Sequence, residues 1–252
     1  MFTSNPFAGL SASIPPAVMQ TYVVVMIVLV AAGTLFDVVH KGSAKYFFQN
    51  WRKAKAKSAL PVGGGELASI AVKTAVIDVL ASGEFCNARR RLAHLLGMYG
   101  FVLHVLSTVV MVFNSSASTI WAQLWWIGGL MVCAGGYWFW FFIRVDVAAE
   151  GNSPFRVVRA DLFILSLLAS VTLGLVWAAA GGGAGVLFGL YILATTVLFG
   201  SVPWSKFAHM FFKPAAAFEK RVSQANGSRS NLPGPADKPE TFGSAREQPR
   251  HY

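Results

Sequence analysis

The stretch Leu92–Phe113 has the sequence LAHLLGMYGFVLHVLSTVVMVF. It contains no Asp, Glu, Lys or Arg, and its 22 residues make a helix long enough to cross about 30 Å of hydrocarbon. Two histidines interrupt the apolar run, His94 and His104. An ionisable side chain is costly inside a membrane span, so both histidines are candidate functional residues.

Other apolar segments of similar length lie on both sides of this one. The sequence predicts spans at about 18–39, 92–113, 120–143, 162–180 and 186–202. The chain is 55% hydrophobic and 13% charged, a composition too apolar for an ordinary soluble domain. The backbone must satisfy its own hydrogen bonds in lipid, and no alternating barrel pattern is present. These features predict an all-α, polytopic membrane protein with five transmembrane helices.

Basic residues are confined to alternate connections of this predicted bundle. Lysines and arginines occupy positions 41–91, positions 144–159 and the segment after the fifth span, whereas 114–119 and 181–185 carry no charge. The positive-inside rule then places the N-terminus, residues 1–17, outside and the C-terminus in the cytoplasm of a bacterial-type inner membrane. The same distribution accounts for the net charge of +10 without a nucleic-acid partner.

The predicted membrane domain covers residues 18–222. Its cytoplasmic connection, 41–91, contains apolar residues at helical spacing over about 66–82, which predicts an amphipathic helix. That helix lies on the membrane interface, on a partner protein or on the end of the bundle. Residues 223–252 are rich in Pro, Gly, Ser and charge, which predicts a disordered cytoplasmic tail.

The depth of each histidine follows from this topology. His94 lies three residues after Arg91 and His209 follows the fifth span, so both are expected near the cytoplasmic surface. Two histidines at matched depth can ligate one heme b between two helices, and the alternative is a pair of interfacial polar residues. His104 is about 15 Å deeper. A hydrogen bond to a neighbouring carbonyl or hydroxyl group is the favoured role for that side chain.

Charged side chains near the predicted cytoplasmic surface offer further contacts. Arg91 and Lys206 are candidates to pair with heme propionates, although anchoring to lipid headgroups is the commoner role. Asp37 and Asp161 lie near span ends, where each is a candidate for proton transfer to a quinone, a helix cap or an ion pair.

No motif assigns catalysis to this chain. The sequence has two cysteines without a CxxC pattern, no phosphate-binding loop, no nucleophile elbow and no zinc-protease helix. Whether it is part of an enzyme therefore depends on what it associates with.

Two segments resemble a known family. Ala88–Phe101, ARRRLAHLLGMYGF, and Pro203–Pro214, PWSKFAHMFFKP, are similar to the nitrate-reductase gamma-subunit superfamily of five-helix cytochromes b. The resemblance covers about Val18–Lys220. Within that superfamily, the small size and the lack of a cluster domain are most similar to the membrane anchors of adenylylsulfate (APS) reductase in sulfur metabolism.

The resemblance implies a set of heme ligands. In dihaem members the second span carries two ligands ten residues apart, which His94 and His104 match. The fifth carries two more, eighteen apart; His209 matches the second of these and Tyr191 occupies the place of the first. The resemblance therefore implies one complete pair, His94 with His209, and an altered second site at His104 and Tyr191.

The same resemblance implies a function. A subunit of this kind anchors a soluble cytoplasmic flavin and iron–sulfur oxidoreductase, here APS reductase, and carries electrons between that enzyme and the membrane quinone pool. A heme-free anchor that binds quinone alone is the first alternative. A transporter is the second, and the sequence shows neither the repeats nor the mid-membrane charges that such folds use.

Overall fold

The computed structural model describes residues 2–40, 42–83, 85, 87–144, 155–205 and 209–228, with the backbone alone at positions 43, 160, 209 and 211. Every regular element within these ranges is helical, which confirms the all-α prediction for them. The α-helices are α1 (Pro16–His40), α2 (Ser43–Ala56), α3 (Gly64–Lys73), α4 (Ala88–Phe113), α5 (Thr119–Trp138), α6 (Leu162–Ala179), α7 (Val186–Gly200) and α8 (His209–Ala225).

Short helical segments extend or connect these elements. Two π-helices, Thr74–Leu80 and Phe139–Ile143, continue directly from α3 and α5. Within the described ranges, 3₁₀-helices lie at Ala8–Ala12, Arg159–Asp161 and Val202–Trp204.

Among the described residues, four helices are long and apolar enough to cross a membrane, and they coincide with the first four predicted spans. They are Pro16–His40, Ala88–Phe113, Thr119–Ile143 and Leu162–Ala179. The segment predicted as a fifth span, 186–202, contains the shorter apolar helix α7, whose 15 residues are followed by the 3₁₀ turn at Val202–Trp204.

The five apolar helices form a closed ring. Helix α4 packs on α5, α5 on α6, α6 on α7, α7 on α1 and α1 on α4. The interior of the ring holds the most completely buried side chains, including Trp125, Val132, Trp177 and Leu198. Helix α1 presents most of its surface outward, as expected for a helix surrounded by lipid acyl chains.

Glycine allows α4 and α5 to approach each other without intervening side chains. A Cβ atom on Gly100 would lie 2.6 Å from the carbonyl oxygen of Gly128, and one on Gly128 would lie 2.7 Å from the carbonyl oxygen of Gly100. Small residues allow this backbone contact between membrane helices, where burial of apolar surface from water supplies no driving force.

The first residues of the chain cover one end of the ring. Phe7 packs against Trp125 and Trp177, with ring centroids 6.1 and 5.3 Å away. The side-chain amide of Asn5 donates a hydrogen bond to the carbonyl oxygen of Met111 at 3.1 Å.

The opposite end, here called the basic end, is formed by α2, α3, the π-helix Thr74–Leu80 and α8, which pack on one another. Helix α2 was not predicted. Its inner stripe includes Phe47 and Trp51, and the Trp51 ring stacks on Phe218 of α8 at 5.9 Å. Lysines and arginines cover its exposed side.

Two predicted boundaries differ from the structure. The predicted amphipathic helix at 66–82 corresponds to α3 together with the following π-helix, which begin at Gly64 and end at Leu80. The predicted disordered tail starts too early, because residues 223–225 belong to α8 and Ser223 is buried. The rest of the predicted tail from residue 229 onward lies outside the described residues.

Candidate functional site

A cavity of about 410 Å³ lies between the bundle and the helices of the basic end. Its walls come from α4, α5, α6, α8 and both π-helices. Most of the lining is apolar, including Met98, Phe101, Val132, Phe163 and Leu167. The size and apolar character are typical of a cavity that binds a small molecule or cofactor.

His94 lies in the wall of this cavity and is exposed within it. Its Nδ1 atom is 3.0 Å from the hydroxyl oxygen of Ser82. The imidazole ring also contacts the ring of Phe85, with centroids 4.8 Å apart. These contacts hold Nδ1 and one face of the imidazole ring at the cavity wall.

The wall beside His94 is bare backbone. Gly97 lies one helical turn after His94 and lines the same cavity, and a Cβ atom there would have no other atom within 4 Å. A flat ring held by His94 therefore meets no side chain at this point of α4. This geometry fits a heme as well as the ring of a smaller aromatic ligand.

Helix α8 forms another wall of the cavity through Met210, Lys213, Pro214 and Ala217. This helix begins at His209, the histidine that follows the fifth predicted span in the sequence. Its side chain lies outside the described part of the structure, and the predicted pairing with His94 stays a prediction.

Basic side chains line the cavity, and the structure shows where the predicted propionate partners lie. Arg91 donates from Nε to the carbonyl oxygen of Ala81 at 2.7 Å, whereas its neighbour Arg90 lines the cavity. Lys213 is a second basic residue in the lining. The other predicted propionate partner, Lys206, lies outside the described residues.

The acidic residues of the lining are engaged in ion pairs. Asp161 pairs with Arg144 and accepts a hydrogen bond from the backbone N–H of Val158. Asp78 accepts two hydrogen bonds from Arg221, and this interaction raises the pKa of the guanidinium. For Asp161, the structure therefore shows both the predicted ion pair and a capping contact at the start of the 3₁₀-helix Arg159–Asp161. Asp37 is buried in α1 and does not line the cavity.

His104 has the hydrogen bond expected of a single buried histidine. It is 5% exposed, and Nδ1–H donates to the carbonyl oxygen of Trp125 at 2.9 Å. Its ring stacks on the Trp125 indole with centroids 4.5 Å apart. Trp125 in turn donates from Nε1 to the hydroxyl of Thr108 at 2.9 Å, so α4 and α5 share a polar network.

Tyr191 is also 5% exposed and lies among aromatic rings. It stacks on Trp177 at 5.7 Å, and its hydroxyl interacts with Thr108. Thr108 therefore links Tyr191 to Trp125, the residue on which His104 stacks. Neither residue lines the cavity that contains His94.

Ser82 and Phe85 contribute to the site but were not identified from the sequence. Only the Ser82-Gly83 pair carried a recognisable local feature, since such a pair favours a turn. A turn by itself says nothing about which side chain it brings to His94.

The chain was compared with protein-family models, with curated proteins and with solved structures. None of these comparisons finds a match for this chain.

Proposed function

We propose that this chain is the membrane anchor and electron-transfer subunit of an oxidoreductase complex. It links a soluble enzyme to the quinone pool through one heme b with His94 and His209 as axial ligands. One observation carries the proposal. His94 faces a large apolar cavity with Nδ1 held by Ser82, and the helix that begins at His209 closes the same cavity.

The proposed topology has five spans in a bacterial-type inner membrane, with the N-terminus outside and the C-terminus cytoplasmic. Four helices of spanning length and the positive charge of the basic end support it. Helix α7 is only about 22 Å long at 1.5 Å per residue. A short span of this kind is tolerated by local thinning of the bilayer or by polar flanking residues at its ends.

The bound heme supplies a one-electron relay between the quinone and the soluble enzyme. His94 of α4 and His209 at the start of α8 would hold the iron. The apolar walls exclude water and bind the hydrophobic faces of the ring. Arg90 and Lys213 lie in the lining and provide the positive charge that carboxylate groups of a heme require.

The proposed partners come from the sequence resemblance. The proposed soluble partner is a flavin and iron–sulfur oxidoreductase, APS reductase by resemblance, which docks at the basic end and performs the chemistry on the sulfur compound. Lipid surrounds the outward face of α1, and quinone reaches the cavity between helices. This chain itself provides anchorage and the relay, with no catalytic residue assigned to it.

A visible absorption spectrum of the purified full-length protein tests the proposal. We expect a reduced b-type spectrum that is lost in His94→Ala and in His209→Ala. His40→Ala is the matched control, because His40 is exposed at the end of α1 and contacts Phe36 rather than the cavity. A correctly folded preparation from heme-supplemented cells without a Soret band would overturn the heme assignment.

A heme-free anchor that binds quinone is the second candidate, and the apolar lining favours it. The head group of a quinone has carbonyl oxygens that accept hydrogen bonds, and the imidazole of His94 in the wall is a candidate donor. Extraction of the purified protein with organic solvent separates the two functions. Quinone without heme supports the heme-free anchor, and its loss in His94→Ala would locate the quinone in this cavity.

A further inference from the structure

Helix α2 follows the candidate membrane span α1 after a turn of two residues. Helix α1 has 25 residues and ends at His40, whereas α2 begins at Ser43. At 1.5 Å per residue α1 is about 37 Å long, which exceeds the roughly 30 Å of hydrocarbon in a bilayer. Gly42 makes the turn with a φ angle of +66°, a conformation that glycine adopts without strain. The beginning of α2 therefore lies at the level of the lipid headgroups.

One side of α2 is already covered by the protein itself. Trp51 stacks on Phe218 of α8 with ring centroids 5.9 Å apart, and Phe47 stacks on Trp51 at 6.2 Å. Both α2 rings are partly buried. The apolar stripe that would insert an isolated amphipathic helix into a membrane thus has its partner in α8. What binds the remaining surface of α2 must be matched to the side chains on its outer side.

A second row of side chains runs along the outer side of α2. Lys45, Phe48, Arg52 and Lys55 are spaced three or four residues apart, so they are neighbours on the helix surface. All four are exposed, and they are here called the basic stripe. Phe48 is 58% exposed although its ring also contacts Phe47 edge to face at 5.4 Å. The basic stripe therefore combines three cations with one apolar ring.

The charge of the basic stripe is not neutralised by the surrounding protein. The sequence has no acidic residue between Asp37 and Glu66. Within the described part of the chain, none of the three basic side chains of the stripe forms an ion pair. A cluster of basic residues directly beside a membrane span is typical of segments that bind anionic lipids.

We propose that the basic stripe of α2 binds the anionic phospholipid headgroups beside α1. Lys45, Arg52 and Lys55 donate hydrogen bonds to phosphate oxygens, and Phe48 enters the boundary between headgroups and acyl chains. An aromatic ring among cations at the end of a span favours a lipid surface over a soluble acidic protein. The soluble partner proposed above then meets the basic end through α3 and α8. This inference uses the membrane location of α1 and is independent of the heme.

Acetylation of lysines in the full-length protein tests the proposal. The protein is reconstituted in nanodiscs of phosphatidylcholine alone or with phosphatidylglycerol, and the rate at each lysine is measured by mass spectrometry. We expect Lys45 and Lys55 to react about fivefold more slowly with phosphatidylglycerol present, because a basic residue at an anionic surface is stabilised by about that factor. Lys73 of α3 and Lys220 of α8 are exposed controls in the same molecule and should react equally in both discs.

Substitutions within α2 separate the two parts of the surface. Arg52→Gln should reduce the protection of Lys45 and Lys55, and Arg52→Lys should retain it because the charge is kept. Phe48→Ser should also weaken the protection. Tyr46→Ser is the matched control, since Tyr46 is 62% exposed but lies outside the basic stripe. In 1 M salt, where charges are screened beyond about 3 Å, the difference between the discs should disappear.

Three results would overturn the proposal. Equal acetylation of Lys45 and Lys55 in the two kinds of disc means that the stripe does not bind anionic lipid. Equal slowing of all four lysines means a diffuse surface potential without a binding surface on α2. Protection by soluble polyglutamate, without protection by phosphatidylglycerol, assigns the stripe to an acidic protein. The visible spectrum of the protein is unaffected by any of these results, so the heme assignment stands or falls separately.

Discussion

Asp78 and Arg221 lie 143 residues apart in sequence and form a bidentate ion pair, with Nε to Oδ2 at 2.6 Å and Nη2 to Oδ1 at 2.9 Å. The pair joins the π-helix Thr74–Leu80 to α8 across the basic end. Because the interaction raises the pKa of Arg221, the guanidinium keeps its charge and its contribution to stability until the pH rises through the raised value.

Breaking this pair should loosen α8. For Asp78→Asn we expect a loss of about 0.5–1 kcal/mol in the free energy of unfolding, since the Arg221 side chain is 30% exposed and solvent screens the charges. Trypsin cleavage within α8 should become faster. Arg221→Lys keeps the charge without the bidentate geometry and should fall between wild type and Asp78→Asn. Unchanged cleavage and melting would mean that other contacts hold α8.

Gly97 and Gly100 should respond differently to the same substitution. Gly100→Ala places a Cβ atom against the backbone of α5, so we expect overpacking to cost about 1–3 kcal/mol and to lower the melting temperature. Gly97→Ala meets open space, so the fold should be unaffected while heme content falls. Melting curves and the heme-to-protein ratio check both. Equal heme content in Gly97→Ala and wild type would place the heme elsewhere.

His104 should matter for the fold and not for the heme. His104→Leu removes the donor to the Trp125 carbonyl, and an unpaired buried carbonyl costs about 1–3 kcal/mol. We expect a lower melting temperature with the heme-to-protein ratio unchanged. Tyr191→Phe, which removes only a hydroxyl, is the milder comparison at the neighbouring position. A ratio that falls by half in His104→Leu would instead indicate a second heme at this depth.

The ion pair between Arg144 and Asp161 should be more sensitive than the pair at Arg221. Its side chains are only 10% and 11% exposed, and the Arg144 guanidinium also lies 4.1 Å from the Trp140 ring centroid. Asp161→Asn leaves a buried cation without its partner, so we expect a loss of about 3–5 kcal/mol. The double variant Arg144→Leu/Asp161→Leu should lose less than Asp161→Asn. Thermal unfolding measures the stability of both variants. A double variant that loses as much stability as Asp161→Asn, or more, would contradict the expectation.

The helical class and four spans could be predicted because hydrophobic length is a strong and local property of sequence. The spacing of Phe47 and Trp51 on one helical stripe was also present in the sequence, but frequent lysines around it obscured α2. Helix α7 was harder to place, since its apolar residues continue into Val202 while its helix ends at Gly200. A hydropathy pattern does not show where the backbone turns.

The site was less predictable because its contacts are made by backbone atoms or distant residues. The partner of His104 is a carbonyl group on another helix, and any residue has a carbonyl group. Ser82 reaches His94 through a left-handed turn, a conformation for which the serine itself gives no indication. Arg90 and Arg91 are adjacent in sequence, and only the rotation of α4 decides which one enters the cavity.

The glycine contact between α4 and α5 gives the cavity one stiff wall. The backbones of α4 and α5 touch at Gly100 and Gly128, so no side chains lie between them to rearrange. His94 is therefore held on a helix that is closely packed against its neighbour. The facing wall, α8, is tied to the rest of the basic end by an ion pair that solvent reaches. We therefore expect a molecule larger than the cavity to displace α8 rather than α4.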